Sequence, residues 1–341
     1  MRIGFLGAGL IATYHSKSIH RSGVDVERAG VYDPDEPRAD AFANASGHHV
    51  CHSTDEVLDG CDVAYVCSWT SEHLPIVANA VARGIPVFCE KPLATTLADA
   101  EELTRLVAES GLVNQVGLVL RYSPAYVVAR SLVHAPEAGR IMATVFRDDQ
   151  FIPIQGQYDS TWRADVTKAG SGTLLEHSIH DLDMLEFLAG PIAAVSGRSA
   201  AFHDLAGIED AVTVSLAFEG GAVGTLASVW HDNLSRPSLR RVEIFCEHRH
   251  VVVEGDDWYG PVSWSDTDGA THSLTGEALV EAADPLIEGL KNPDGAFLTA
   301  VRDGRPAYPD VHVALRAHRL VAAIYESAAL GGGSVRCASS S

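Results

Sequence analysis

Positive charge is scarce in this chain: 25 Lys and Arg stand against 45 Asp and Glu, a formal net charge of −20 over 341 residues. Such a surface repels nucleic-acid phosphates and anionic lipid, which argues against either as a partner. Cysteine is sparse as well. Cys51, Cys61, Cys67, Cys89, Cys246 and Cys337 form no Cys-x-x-Cys pair and no dense framework. They read as reduced, mostly buried thiols rather than as disulfides. No apolar run approaches the ~18 residues that a membrane span needs. The first strand-like segment starts at Arg2, which leaves no room for a secretory leader, so the expected location is cytoplasmic.

What remains is an ordinary globular composition, 46% hydrophobic and 21% charged. The length exceeds what one hydrophobic core usually serves, so two domains are expected. Segment 2–6 (RIGFL) reads as a strand, and a helical pattern follows from about 10 to 21. Strands near 26–32, 62–67, 86–89 and 113–119 then alternate with helices near 35–45, 72–83 and 96–110. That alternation predicts a doubly wound parallel sheet covered on both faces.

After about residue 120 the rhythm changes. A helix near 124–134 leads to a strand near 140–148, a polar stretch, and a helix carrying Glu176. From about 193 to 265, strand-like runs follow one another directly, which predicts an antiparallel or mixed sheet. Helices near 277–290, 295–303 and 311–329 close the chain, ahead of a Gly/Ser-rich end from Gly331. The expected division is an α/β domain over 1–120 and a second α/β domain over 121–341.

Gly7-Ala8-Gly9-Leu10-Ile11-Ala12 joins the first strand to the first helix. Such a turn needs Gly7, while Gly9 lets backbone approach a pyrophosphate at the helix N-terminus, and Ala12 is small enough for close packing. Asp33 ends the second strand, where an acid can hold ribose hydroxyls and repel a 2′-phosphate. NAD is therefore favoured over NADP. Arg38 could in principle reach such a phosphate, but reads better as a solvated helix charge.

Two further segments carry chemistry. Glu90-Lys91-Pro92 follows a strand end, and the proline biases Lys91 to an extended backbone. Near a cationic nicotinamide and away from bulk water, the Lys91 ammonium is disfavoured and its pKa is expected to fall toward neutrality. Glu176, His180 and Asp183 are spaced to share one face of a single helix, beside a core stripe of Leu175, Ile179 and Leu182. The preceding Gly170-Ser171-Gly172 permits close backbone approach. Metal binding by Glu176, His177, His180 and Asp183 is geometrically sound. The tract from Gly47 to His52 reads as a polar loop.

With these residues in hand, the chain resembles the Gfo/Idh/MocA family of sugar and polyol oxidoreductases. The resemblance rests on the N-terminal fingerprint, CSWTSEH (67–73), FCEKPLA (88–94), GLVLRYSPA (117–125) and GSGTLLEHSIHDLD (170–183). It implies a Rossmann domain followed by an α/β domain with an open-faced, largely antiparallel sheet, and a homodimer or homotetramer. It places Gly7, Ala8, Gly9, Leu10, Ile11, Asp33, Ser68, Trp69, His73, Glu90 and Lys91 around the cofactor. It makes Lys91, Glu176 and His180 the catalytic group. Tyr122, Asp159, Trp162, Arg163 and His177 join those three around the substrate, and the helix is accounted for without a metal. The chain departs from the family pattern at Glu176, where aspartate is usual, at Trp69 in place of proline, and at Val119, where a polar residue is common.

The implied chemistry is oxidation of a secondary alcohol on a sugar, an inositol or a sugar derivative, with hydride passing to NAD. His180 accepts the hydroxyl proton, Lys91 steadies the oxygen, and Glu176 orients Lys91; Lys91 and His180 can exchange roles. An NAD-dependent glycoside hydrolase that oxidises its sugar transiently, and a catalytically silent NAD-binding regulator, are the competing classes.

Overall fold

The computed structural model describes residues 1–156, 158–255, 258–287 and 292–338. The chain forms two compact units. The first comprises Met1–Leu118, Thr167–Gly170 and Asn292–Leu315; the second comprises Val119–Val166, Ser171–Lys291 and Arg316–Ser341.

In the first unit the described residues build a parallel sheet from β1 (Arg2–Leu6), β2 (Glu27–Tyr32), β3 (His49–Val50), β4 (Val63–Val66), β5 (Val87–Cys89) and β6 (Asn114–Val116), in the order β3-β2-β1-β4-β5-β6. This is the doubly wound dinucleotide-binding order. Successive strand residues point to opposite faces and both faces are covered, so β4 and β5 are buried at every position. Leu6, Ala64, Val66, Val87 and Cys89 pack into one core with Val57 and Leu103. Ile3, Phe5, Val63, Tyr65 and Phe88 pack into the other.

That second face is aromatic. Phe5 and Tyr65 stack at 5.1 Å, and Tyr65 and Phe88 at 5.0 Å. The helix Pro293–Asp303 covers them, setting Phe297 edge-on to Tyr65 and Phe88. Residues 292–315 therefore belong with the N-terminal sheet, which a single cut near residue 120 does not express. The tract 47–52 is more than a polar loop: it contains β3, and His48 packs against Phe5 and Phe42. Burial lowers the His48 pKa to about 4.

The second unit holds a mixed sheet, largely antiparallel. Its strands are β7 (Ile141–Phe151), β8 (Ile192–Ala200), β9 (Ala211–Phe218), β10 (Val223–His231), β11 (Leu239–Cys246), β12 (Arg249–Glu254), β13 (Val262–Asp266), β14 (Thr271–Leu274) and β15 (Val335–Arg336). Their order among the described residues is β14-β13-β12-β11-β7-β10-β9-β8-β15, and the β7–β10 pair is the parallel one. Along β9, Val212, Val214, Leu216 and Phe218 are buried while Thr213, Ser215 and Ala217 are exposed. One face thus meets the core and the other meets solvent. Of the helix expected near 277–290, Gly276–Ala283 is helical, and positions 288–290 lie outside the described residues.

One expectation is overturned. Glu176 and His180 do not share a continuous helix: Thr173–Glu176 is a short helix, His177 leaves helical geometry at φ −123°, ψ −60°, and a new helix runs Ile179–Ala189. The break has a clear cause. The hydroxyls of Thr173 and Ser178 both reach Ser228 Oγ on β10, at 2.8 and 2.5 Å. The Glu209 carboxylate meanwhile accepts the N–H groups of Gly172 and Leu174. Both ends of the turn are pinned to the same part of the sheet, so the helix cannot simply run on. Leu175, Ile179 and Leu182 are nevertheless buried, as their pattern predicts. No helix among the described residues is long and apolar enough to cross a membrane.

Candidate active site

The first unit presents a turn, an acid and a lysine. Gly7 has φ +101°, and a Cβ there would lie 2.6 Å from the Cys67 carbonyl carbon, so only glycine closes the turn. Gly9 differs: nothing lies within 4 Å of where its Cβ would be. It precedes the helix Leu10–Ser22, whose N-terminus has no side-chain cap. Leu10 and Ile11 are exposed there. Free N–H groups at a helix start, with open ground before them, suit a pyrophosphate.

Asp33 closes the other side of the turn. Its Oδ2 accepts the Ala8 N–H at 2.8 Å and its Oδ1 the Asp35 N–H at 2.9 Å. Arg38 is exposed on its helix, as a solvated charge would be, and its guanidinium also lies 3.5 Å from Asp33 and 3.1 Å from Asp35. Ser68 and Trp69 follow β4, with the Lys168 ammonium 4.1 Å from the centroid of the Trp69 ring. His73 is buried, with one ring nitrogen 2.8 Å from the Pro92 carbonyl and the other 3.2 Å from that of Ser68. Its place is to tie two loop backbones together.

The Lys91–Pro92 peptide is cis. Glu90 is buried, and its Oε2 accepts the Lys91 N–H at 3.1 Å. Its Oε1 lies 2.9 Å from His15 Nε2, and His15 Nδ1 lies 2.8 Å from Asp294 Oδ1. Burial alone would lower the His15 pKa, but Asp294 and Glu90 overcome it and raise it to about 10. Burial likewise pushes Glu90 up, yet the His15 hydrogen bond and charge hold it below the usual carboxylate value. Sequence reasoning missed His15 and Asp294. Nothing local marks them, since their meaning comes from a partner 279 positions away.

In the second unit the 3-10 turn Thr161–Ala164 carries Trp162 and Arg163. The Arg163 guanidinium sits 4.5 Å from the Trp162 ring centroid, and its Nε donates to Glu176 Oε2 at 3.0 Å. Asp159 is exposed and holds φ +41°, an uncommon backbone for a residue with a side chain. Tyr122 is buried, and so is His180, at 9% exposure.

His177 belongs to a cluster that sequence reasoning did not find. Its Nε2 lies 2.9 Å from Asp148 Oδ2 and 2.9 Å from Arg240 Nη2. Asp148 on β7 and Arg240 on β11 are cross-strand partners, and Arg240 Nε reaches Asp148 at 3.1 Å and Asp181 at 3.0 Å. Burial first, then the Asp148 charge, raise the Asp181 pKa to about 7 against the pull of Arg240. Asp183 stands apart, because Arg121 grips its carboxylate at 2.6 Å. An arginine thus occupies the carboxylate or imidazole of three candidate metal ligands, Glu176, His177 and Asp183. Among the described residues no group of three or more His, Cys, Asp or Glu side chains is arranged to hold a metal ion.

Comparison with known proteins bears on both units. Residues 1–118 match the family model of oxidoreductases with an NAD-binding Rossmann fold, and residues 126–252 match the GFO/IDH/MocA C-terminal domain. The scyllo-inositol 2-dehydrogenase (NAD(+)) of Bacillus subtilis (strain 168) is 30% identical over 270 residues, covering 74% of this chain and 76% of that protein. An inositol 2-dehydrogenase of Cereibacter sphaeroides (strain ATCC 17029 / ATH 2.4.9) is 31% identical over 225 residues, 63% of each chain. Levoglucosan dehydrogenase, solved with NADH and levoglucosan, has the same fold, with a TM-score of 0.89 at 20% identity over 99% of this chain and 100% of that one. With its dinucleotide turn, its Glu90–Lys91 pair and these matches, the chain belongs to the Gfo/Idh/MocA family of NAD-dependent oxidoreductases.

Proposed function

We propose that this oxidoreductase dehydrogenates a secondary alcohol of a cyclic polyol or sugar, with Lys91 and His180 as its catalytic groups. The observation that carries the reading lies within the first unit. The Gly7–Gly9 turn follows β1 and Lys91 follows β5, so both stand at the carboxyl ends of strands in one doubly wound sheet. Ligands of such sheets bind along that edge.

Bound NAD supplies the hydride acceptor. The rest is the work of side chains. His180 takes the hydroxyl proton, and Lys91 hydrogen-bonds the same oxygen and stabilises the negative charge that develops on it. The two can exchange roles. Arg163 and His177, both partly exposed, supply charged and polar edges suited to the remaining hydroxyls of a polyol ring, which fits the inositol dehydrogenases among the relatives.

Absorbance at 340 nm tests this, using NAD and NADP against inositols, aldoses, uronates and glycosides. NADH formation with a polyol or sugar is the expected result. Lys91→Ala and His180→Ala should each lower kcat by about 10²- to 10⁴-fold while NADH binding stays within about threefold. Near-normal turnover in either variant removes that residue from the mechanism. Aglycone release from a glycoside without net NADH would point to a hydrolase.

A further inference from the structure

His15 is fully buried on the helix that starts at the dinucleotide turn, and both of its ring nitrogens face carboxylates. A neutral imidazole has one N–H and can donate to one of them; only the imidazolium donates to both. Asp294, itself fully buried, arrives on the helix Pro293–Asp303, whose Asn292 cap is tied to Ser18 of the same His15 helix. The far side of Glu90 is equally confined. At Gly117 a Cβ would sit 2.6 Å from the Glu90 carboxyl carbon, so that glycine leaves room for the carboxylate. Glu90 is gripped by an imidazole at one oxygen, gives its other oxygen to the Lys91 N–H, and has a backbone wall behind it.

We propose that His15 is a positioning residue for the reaction: bridging Asp294 and Glu90, it fixes the Glu90 carboxylate and, through it, the backbone from which Lys91 projects. This rests on the reading of Lys91 as a catalytic group. Hydrogen bonds from a charged donor are short and directional. Two buried carboxylates need a cation between them, because an unpaired buried charge is costly. Small displacements of a catalytic group are expensive in rate, since transition-state stabilisation depends on placement. The arrangement thus couples the helix that begins at the cofactor turn to the placement of the lysine.

The test separates positioning from bulk structure. His15→Phe keeps a ring and removes both donors. We expect kcat to fall at least about tenfold, with substrate KM and the NADH dissociation constant within about threefold. The pair His15→Gln with Asp294→Asn restores a neutral relay, in which the glutamine carbonyl accepts from the new amide at 294 and its own amide donates to Glu90. Its kcat should return to within about threefold of wild type. Full turnover in folded His15→Phe, or a tenfold loss in the folded double variant, overturns the proposal.

A wild-type measurement stands if His15→Phe does not fold. In ¹⁵N-histidine-labelled protein at pH 8.5, one imidazole should remain protonated on both ring nitrogens; its absence overturns the proposal. Lys91→Ala serves as the control. If that variant turns over normally, the catalytic reading of Lys91 fails and this inference fails with it. If Lys91→Ala is inactive while His15→Phe is normal, only the inference fails.

Discussion

Arg163 Nε donates to Glu176 Oε2 across 3.0 Å, and the two side chains differ sharply in exposure, 23% for the arginine against 1% for the glutamate. The arginine is a cationic stopper over a buried carboxylate. Removing one partner of a buried pair costs about 3–5 kcal/mol, and less where solvent reaches the cation. Arg163→Met should therefore destabilise the protein by roughly 2–3 kcal/mol in urea titration. Adding Glu176→Gln should recover much of that loss, because it removes the buried negative charge that Arg163 balances. Equal stability for Arg163→Met and wild type would show that the pair does not matter to the fold.

The two glycines of the dinucleotide turn answer to different constraints. Gly7→Ala forces a side chain into left-handed backbone and against the Cys67 carbonyl, so it should lower stability by about 2 kcal/mol or more. Gly9→Ala meets open space at an ordinary φ of −74°, so its melting temperature should match wild type. Its methyl group would fill the ground where a pyrophosphate is expected, and NADH affinity by fluorescence titration should fall at least about tenfold. Unchanged NADH affinity in Gly9→Ala would move the cofactor elsewhere.

Asp33 holds the turn together, and an acid at this position is expected to favour NAD over NADP. It receives the Ala8 and Asp35 N–H groups while Arg38 waits 3.5 Å away. Asp33→Ser removes the charge that repels a 2′-phosphate and frees Arg38 to meet one. The ratio of kcat/KM for NAD over NADP should shift toward NADP by about tenfold or more. A ratio that does not move would assign the discrimination to other residues.

Asp181 gives a pH signature with a definite sign. Its pKa rises from the ordinary 3.8 to about 7, mainly through burial and then through the Asp148 charge. The folded protein therefore holds this proton where the unfolded chain has released it. The group's contribution to stability is greatest below about pH 4 and declines as pH climbs to about 7. Asp181→Asn keeps an acceptor for Arg240 and abolishes the titration. Its melting temperature at pH 8 should equal or exceed that of wild type, and the wild-type decline between pH 4 and 7 should flatten. A marked loss of stability at pH 8 would mean that Asp181 works as an anion there.

Much of this protein is legible from neighbours in sequence. Apolar runs too short for helices mark β1, β4 and β5, and the Gly7-x-Gly9 spacing places a turn between strand and helix. Strict alternation along β9 separates a core face from a solvent face. The helix break at His177–Ser178 was not legible, because Glu176 and His180 have perfectly good helical spacing. It takes Ser228 and Glu209, far along the chain, to pin the turn out of helical register.

By itself, then, the sequence determined what depends on residues a few positions apart: element type, the dinucleotide turn, the acid after β2 and the Glu90-Lys91-Pro92 segment. Tertiary structure alone decided how the buried charges are paired. His15 meets Asp294, Arg240 joins Asp148 to Asp181, Arg121 withdraws Asp183, and the helix Pro293–Asp303 returns to cover the aromatic face of the first sheet. The reason is physical. A buried charge must find an opposite partner wherever the fold supplies one, and that partner's distance along the chain carries no local mark in the residues themselves.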